Sequence, residues 1–128
     1  MLDHVGIPVS DYARSLAFYR QSLAPLGIAL VMEVTPEITG GGSAAGFGRD
    51  GEPGFWFGDD GVPGVHTHVA FTAGSRAQVD AFHAAAIAAG GRDHGAPGLR
   101  PHYHGHYYGA FVLDPDGHNI EAVCHRPE

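Results

Sequence analysis

Residues 4–27 read HVGIPVSDYARSLAFYRQSLAPLG, and residues 68–91 read HVAFTAGSRAQVDAFHAAAIAAGG. The two segments align without a gap, and seven of the 24 aligned pairs are identical. Each segment starts with a short apolar run and continues with a residue that favours a helix N-terminus, Asp11 in the first and Ser75 in the second. Because an internal repeat indicates a duplicated structural unit, the chain is predicted to contain two similar modules.

Each half of the sequence predicts four strands and one helix. The first half has a predicted helix over residues 11–23 and predicted strands over residues 4–9, 28–34, 44–49 and 55–57. The second half has a predicted helix over residues 75–89, a loop over residues 95–105, and predicted strands over residues 65–72, 92–94, 107–113 and 118–125. The Asp-Pro-Asp-Gly sequence at residues 114–117 is typical of a hairpin turn.

These elements predict an α+β fold. Two βαβββ modules, about residues 1–60 and 65–128, pair into an open, barrel-like sheet with the helices on the outside. At 128 residues the chain has the length of one ordinary domain, so both modules are expected to form a single domain over residues 1–128.

Composition excludes several classes of function. The net charge is −7, and the seven basic residues are single, scattered arginines, which argues against a nucleic-acid surface. No apolar run approaches the roughly 20 residues that cross a bilayer, and the first residues lack the order of a secretory signal. The single cysteine, Cys124, cannot form an internal disulfide, so a cytoplasmic location is expected.

Strand alternation marks three polar residues. In the first, fifth and last predicted strands the apolar side chains share one face, which is expected to pack against a helix. His4, His68 and Glu121 fall on the opposite face of these strands. Two imidazoles and a carboxylate can bind a divalent transition metal and leave coordination positions open. The same pattern also fits three polar residues that face water, and alternation alone does not separate the two interpretations.

The repeated starts HVGI (residues 4–7) and HVAF (residues 68–71), with DPDGHNIE at residues 114–121, resemble the vicinal oxygen chelate superfamily. That group includes glyoxalase I, extradiol ring-cleaving dioxygenases, and bleomycin- and fosfomycin-resistance proteins. The resemblance covers essentially the whole chain. It implies paired βαβββ modules around a divalent metal, with ligands from the first strand of each module and from the last strand. Those positions are His4, His68 and Glu121, and the metal is expected to be Fe²⁺, Zn²⁺, Mn²⁺ or Ni²⁺.

The sequence departs from two members of this group. Glyoxalase I-like proteins use a fourth ligand on the last strand of the first module, where this chain has Phe55 or Trp56, depending on the register. Neither side chain binds a metal, which weakens a lactoylglutathione lyase assignment. Extradiol dioxygenases usually have a tyrosine ten residues before the glutamate, and Phe111 stands at that position.

Residues 102–108 read HYHGHYY and form the candidate catalytic segment. The resemblance implies that this stretch borders the substrate pocket and can supply an acid-base histidine. His102, His104 and Tyr108 are therefore predicted to be catalytic. An exposed polar loop, or an adventitious second metal site made by neighbouring imidazoles, explains the same residues without catalysis.

The resemblance favours a metal-dependent enzyme, dioxygenase- or lyase-like, that acts on a small oxygenated molecule able to chelate the metal. One alternative is an antibiotic-sequestering protein of the bleomycin-resistance type. Another is a lactoylglutathione lyase-like isomerase that lacks the fourth protein ligand. The expected partners are a small-molecule substrate and a second copy of the chain in a homodimer, with no nucleic acid and no membrane.

Overall fold

Each half of the chain forms a βαβββ module in the computed structural model, which describes residues 1–128. The first module contains strands β1 (Val5–Pro8), β2 (Ala29–Val34), β3 (Ala44–Arg49) and β4 (Glu52–Gly58), with helix α1 (Tyr12–Leu23) and the short helix α2 (Pro36–Thr39). The second module contains strands β5 (His68–Thr72), β6 (Arg92–Leu99), β7 (Tyr108–Leu113) and β8 (Asn119–Cys124), with helix α3 (Arg76–Ala88).

The strands form two four-stranded sheets with the same plan. Their orders are β1-β4-β3-β2 and β5-β8-β7-β6, and in each sheet the first strand runs parallel to its neighbour while the others are antiparallel. β1 and β5 are therefore edge strands, and neither sheet closes on itself. The predicted α+β class with two open βαβββ modules is confirmed.

Both main helices begin where the sequence predicts. The side chain of Asp11 accepts a hydrogen bond from the backbone N–H of Arg14, and Ser75 accepts one from Gln78. These bonds satisfy backbone donors that have no partner inside the helix. The repeat therefore encodes the same helix start twice, although the capping side chain differs.

The predicted loop over residues 95–105 is partly wrong. Strand β6 continues to Leu99, and only the later residues form the loop that leads into β7. The glycines and Pro97 of this segment weaken its strand signal. Pairing with β7 nevertheless holds it extended, and two register shifts around Gly95 accommodate the irregular sequence.

One hydrophobic core serves both modules. Helices α1 and α3 pack against each other, and their buried residues join the inward faces of both sheets in a single cluster. The predicted helix-facing residues of the last strand, Ile120, Ala122 and Cys124, are all fully buried. None of the helices has the length and apolar character needed to cross a membrane.

Candidate metal and substrate site

Two of the three predicted metal ligands meet on the second sheet. His68 begins β5, and Glu121 lies in the neighbouring strand β8. The His68 Nε2 atom lies 3.1 Å from Glu121 Oε1. Only 2% of the Glu121 side chain is exposed, whereas 44% of the His68 side chain is exposed. Glu121 therefore does not face water, and its carboxylate is directed toward the imidazole.

Backbone contacts define the His68 tautomer. Its Nδ1 atom lies 3.0 Å from the carbonyl oxygen of Asn119. Because a carbonyl oxygen only accepts, Nδ1 carries a proton and donates a hydrogen bond to it. The Nε2 atom either carries a second proton, which faces Glu121 Oε1, or presents a lone pair toward that oxygen. Because two lone pairs repel unless a cation or a proton lies between them, this arrangement suits a cation-binding site.

The second oxygen of Glu121 has a separate partner. The Tyr107 hydroxyl donates a hydrogen bond to Glu121 Oε2. Burial, together with the adjacent Glu121 carboxylate, raises the pKa of Tyr107 well above its ordinary value. The hydroxyl therefore keeps its proton at neutral pH and remains a donor. Each carboxylate oxygen consequently has one neighbour, Tyr107 on one side and His68 on the other.

The third predicted ligand, His4, lies elsewhere in the single chain. Its Nδ1 atom contacts the Asp3 carboxylate at 2.6 Å, and 60% of its side chain is exposed. The ligand atoms of His4, His68 and Glu121 do not all lie within 4.8 Å of one another. His4 instead lines a cleft of about 440 Å³ together with Glu52 and Trp56. One chain thus brings together two of the predicted ligands and leaves the third on the other module.

The strand register identifies the residue that stands where a fourth ligand would lie. In the first sheet Trp56 pairs with Gly6, and in the second Glu121 pairs with Ala70. Gly6 and Ala70 are aligned in the sequence repeat, so Trp56, and not Phe55, is the counterpart of Glu121. The indole of Trp56 lies over Gly46, where an added β-carbon would come within 2.8 Å of the ring.

The predicted catalytic segment is only partly directed toward this site. The rings of His102 and Tyr103 pack with centroids 4.3 Å apart. His104 Nδ1 accepts a hydrogen bond from the backbone N–H of His106. The ring proton therefore lies on Nε2, which donates a hydrogen bond to His125 Nδ1 at 2.7 Å. His102, His104 and His106 do not belong to any group of three side chains close enough together to hold one metal ion. The catalytic roles of His102 and His104 stay predictions.

Tyr108 is directed away from Glu121. Its hydroxyl donates to Asp80 of helix α3 at 2.7 Å, and Arg76 of the same helix lies over its ring. Alternation along β7 explains this, because Tyr108 shares its face with Ala110 and Val112, which are buried against the helix. Tyr107, on the opposite face, reaches Glu121 instead. The sequence already contained this signal, since Tyr107 has the same parity as Phe111, the strand partner of Glu121.

A second group of side chains close enough to hold a metal ion surrounds the turn at residues 114–117. It consists of Asp114, Asp116 and His118. Asp114 Oδ1 accepts two backbone N–H groups of the turn, and its Oδ2 accepts the hydroxyl of Tyr19. Asp116 accepts both the N–H and the hydroxyl of Ser10. The carboxylates are therefore already engaged in hydrogen bonds that join the second module to the first.

The fold and this site define the class of protein. Paired βαβββ modules carry a histidine directly before the first strand of one module, a histidine at the start of the first strand of the other, and a glutamate on the last strand. The model of the Glyoxalase/Bleomycin resistance protein/Dioxygenase superfamily matches residues 1–122. The chain therefore belongs to this superfamily, whose members commonly bind divalent metals and small-molecule substrates.

Solved structures agree with this assignment. A glyoxalase/bleomycin resistance protein from Albidiferax ferrireducens T118 is 34% identical, with a TM-score of 0.73 over 96% of this chain and 97% of that chain. A family enzyme from Burkholderia phytofirmans PsJN has 21% identity and a TM-score of 0.70, covering 97% and 98% of the two chains. A glyoxalase I variant from Zea mays has 24% identity and a TM-score of 0.72, covering 95% of this chain and 46% of that chain. No curated protein matches the chain.

Proposed function

We propose that this protein is a metal-dependent enzyme, dioxygenase- or lyase-like, whose substrate is a small oxygenated molecule that chelates the metal. The observation that carries the proposal is the pairing of His68 Nε2 with Glu121 Oε1 at 3.1 Å. A buried carboxylate and an imidazole nitrogen that face each other are a suitable donor set for Fe²⁺, Zn²⁺, Mn²⁺ or Ni²⁺. When bound, the metal would supply Lewis-acid activation and hold the substrate oxygens in place.

The surrounding residues support three protein ligands and not four. Trp56 occupies the position equivalent to Glu121 and has no atom that binds a metal. A three-ligand site keeps more coordination positions open for substrate oxygens and water than a four-ligand site does. This feature favours the proposed activity over a lactoylglutathione lyase-like isomerase that uses a fourth protein ligand.

We propose further that the third ligand, His4, comes from a second copy of the chain. Within one chain His4 is exposed and is not grouped with His68 and Glu121. Strand β1 directly follows His4, and strand β5 begins at His68. Both are edge strands and have no partner strand on one side. An unpaired edge favours association with another chain. A homodimer would thereby bring the first module of one protomer to the second module of its partner.

Metal removal and replacement test the proposed cofactor. The protein is treated with a chelator, and its melting temperature is measured with and without Fe²⁺, Mn²⁺, Ni²⁺ or Zn²⁺. Because a ligand that binds only the folded state stabilises it, at least one metal should raise the melting temperature. His68→Ala should abolish the increase, whereas the control His83→Ala, which removes a half-buried imidazole paired with the exposed Asp93, should retain it. If no metal changes the melting temperature, the proposal is wrong and a binding protein of the sequestering type becomes the better interpretation.

Mixing of variants tests the shared site. His4→Ala and His68→Ala are unfolded, mixed and refolded together. In a mixed dimer one site receives His4 from one protomer and both His68 and Glu121 from the other, so about half of the metal sites in such dimers are intact. A mixture of His68→Ala and Glu121→Gln should restore none, because both changes affect the same module. Failure of the first mixture to recover metal binding would refute a site that takes His4 from a second protomer.

The single cysteine supports a reducing compartment as the working environment. Cys124 is buried and unpaired in the second sheet. Structural disulfides are typical of oxidising compartments, and this chain has no second thiol with which to form one internally. The proposed location is therefore the cytoplasm.

A further inference from the structure

We infer that Tyr107 is a positioning residue for the Glu121 carboxylate, because its hydroxyl engages Oε2 and leaves Oε1 alone to face the metal beside His68. This inference rests on the proposed metal site. The resemblance draws attention to histidines in this segment, whereas the structure identifies a tyrosine that touches a ligand and is not itself a ligand.

The two carboxylate oxygens of Glu121 have distinct surroundings. Oε2 receives the Tyr107 hydroxyl, and Oε1 lies 3.1 Å from His68 Nε2. A carboxylate that rotated freely could bind a metal through both oxygens or turn away from it. A hydrogen bond to one oxygen opposes both movements, since either would disturb the contact with the partly buried Tyr107 hydroxyl. The expected result is binding through Oε1 only.

The Tyr107 ring is itself held in place. Its backbone N–H donates to the carbonyl of His104 at 3.2 Å, and its carbonyl accepts the N–H of Arg100 at 2.7 Å. The rings of His104 and His125 each lie edge-on to the Tyr107 ring, with centroids 5.4 Å away. These two histidines are hydrogen-bonded to each other, so they tie the loop before β7 to the end of β8. The histidine-rich segment therefore acts on the site by fixing the tyrosine.

Gly109 provides the space that this contact needs. A β-carbon at this position would lie 3.1 Å from Glu121 Oε2 and 3.2 Å from the Tyr107 ring. Distances of this size are shorter than ordinary contacts between carbon and its neighbours. A larger residue at Gly109 would therefore require the Glu121 carboxylate or the Tyr107 ring to shift by a few tenths of an ångström. Three residues, Tyr107, Gly109 and Glu121, form one interdependent unit.

The inference is tested with Tyr107→Phe, which removes the hydroxyl and keeps the ring. The control is Tyr103→Phe, because Tyr103 lies in the same loop and its ring packs edge-on against Tyr107 with centroids 4.8 Å apart. The dissociation constant for Co²⁺ is measured by calorimetry, and the visible absorption of the Co²⁺ protein reports the ligand geometry. Loss of a residue that orients a ligand typically weakens metal binding about 10–100-fold.

Tyr107→Phe should therefore weaken Co²⁺ binding by about 10–100-fold and alter the visible spectrum, whereas Tyr103→Phe should change neither. A merely structural tyrosine would lower the melting temperature of the metal-free protein and leave the spectrum of the bound metal unchanged. That outcome would overturn the inference, as would unchanged affinity. If Tyr107→Phe does not fold, Gly109→Ala provides the second test and should produce the same spectral change.

The parent protein separates this inference from the proposed function. If it binds neither Co²⁺ nor any of the four proposed metals, the metal site is refuted, and the positioning role of Tyr107 is refuted as well. If the parent protein binds metal and Tyr107→Phe binds it equally well, only the positioning role is refuted. Binding that is lost in Glu121→Gln and weakened in Tyr107→Phe supports both.

Discussion

The two modules have the same backbone plan but differ at one pair of equivalent positions. In the first sheet Trp56 lies between Gly6 and Gly46, whereas in the second Glu121 lies between Ala70 and Phe111. At these equivalent positions a large side chain is paired with a small one: the Trp56 indole covers Gly46, and the smaller Glu121 lies beside the Phe111 ring. Duplication has thus preserved the strand pairing, while one copy carries a buried carboxylate and the other an indole.

The hairpins that precede these positions differ as well. In the first module Asp50 and Gly51 form a short exposed turn with positive φ values of 54° and 75°. In the second module Asp114 is buried and joins its turn to Tyr19 of the first module. The turn of the second module therefore joins the modules through a buried carboxylate, whereas beside the first turn the exposed Arg49 makes the contact by donating to the Thr72 carbonyl.

The largest expected effect follows from placing the same residue at the two equivalent positions. Glu121→Leu should weaken metal binding by at least about 100-fold, because the charged ligand oxygen is lost. Trp56→Leu should leave the dissociation constant of the parent protein unchanged, since neither an indole nor a leucine side chain contributes a ligand. Calorimetric titration of both variants with the metal that stabilises the parent protein checks the difference. An equal loss of metal affinity in both variants would contradict the proposal that only the second module supplies a ligand at this position.

A stability difference is expected at the turn of the second module. Asp114→Ala should lower the free energy of unfolding by about 3 kcal/mol, because it leaves a buried hydroxyl on Tyr19 and two backbone N–H groups without an acceptor. Asp116→Ala, which removes only exposed hydrogen bonds to Ser10, should cost about 1 kcal/mol. Urea unfolding monitored by circular dichroism measures both. Similar values for the two variants would contradict a special role for the buried carboxylate.

Making the first module resemble the second should have a smaller effect. Trp56→Glu places a carboxylate in the cleft that Trp56 shares with His4. If His4 ligates the metal, the added ligand should tighten binding by about tenfold, or about 1.4 kcal/mol. Trp56→Leu is the control for the loss of the indole, because leucine has no atom that binds a metal. A dissociation constant that is the same in both variants would mean that position 56 does not reach the metal.

The smallest expected effect concerns position 83, which the repeat aligns with Tyr19. The hydrogen bond from His83, followed by one from the N–H of Gly95, lowers the pKa of Asp93. His83→Ala should let the pKa of Asp93 rise toward its ordinary value, as measured by NMR titration. A lowered carboxyl pKa stabilises the folded state above the ordinary pKa, and this contribution is lost as the pH falls through the folded-state value. Parent and variant should therefore become equally stable in acid.

Strand and helix positions could be predicted because they depend on local patterns. Apolar alternation located five of the eight strands to within one residue at each end, and the capping residues Asp11 and Ser75 located both main helices. Strand β4 starts three residues earlier, and β5 three residues later, than predicted. The extension of β6 to Leu99 was missed since its glycines and proline resemble a loop. Pairing with the backbone of β7, the next strand along the chain, holds that segment extended.

The site shows the same division between local pattern and tertiary arrangement. Alternation by itself selected His4, His68 and Glu121 as residues on the faces opposite the core. The three-dimensional structure decided that His68 meets Glu121 while His4 lies apart, and that Tyr107, not Tyr108, contacts the carboxylate. It also decided that Trp56 is the counterpart of Glu121. The physical reason is that a sequence pattern determines the face of a strand, whereas distances between faces depend on register and on how separate strands pack.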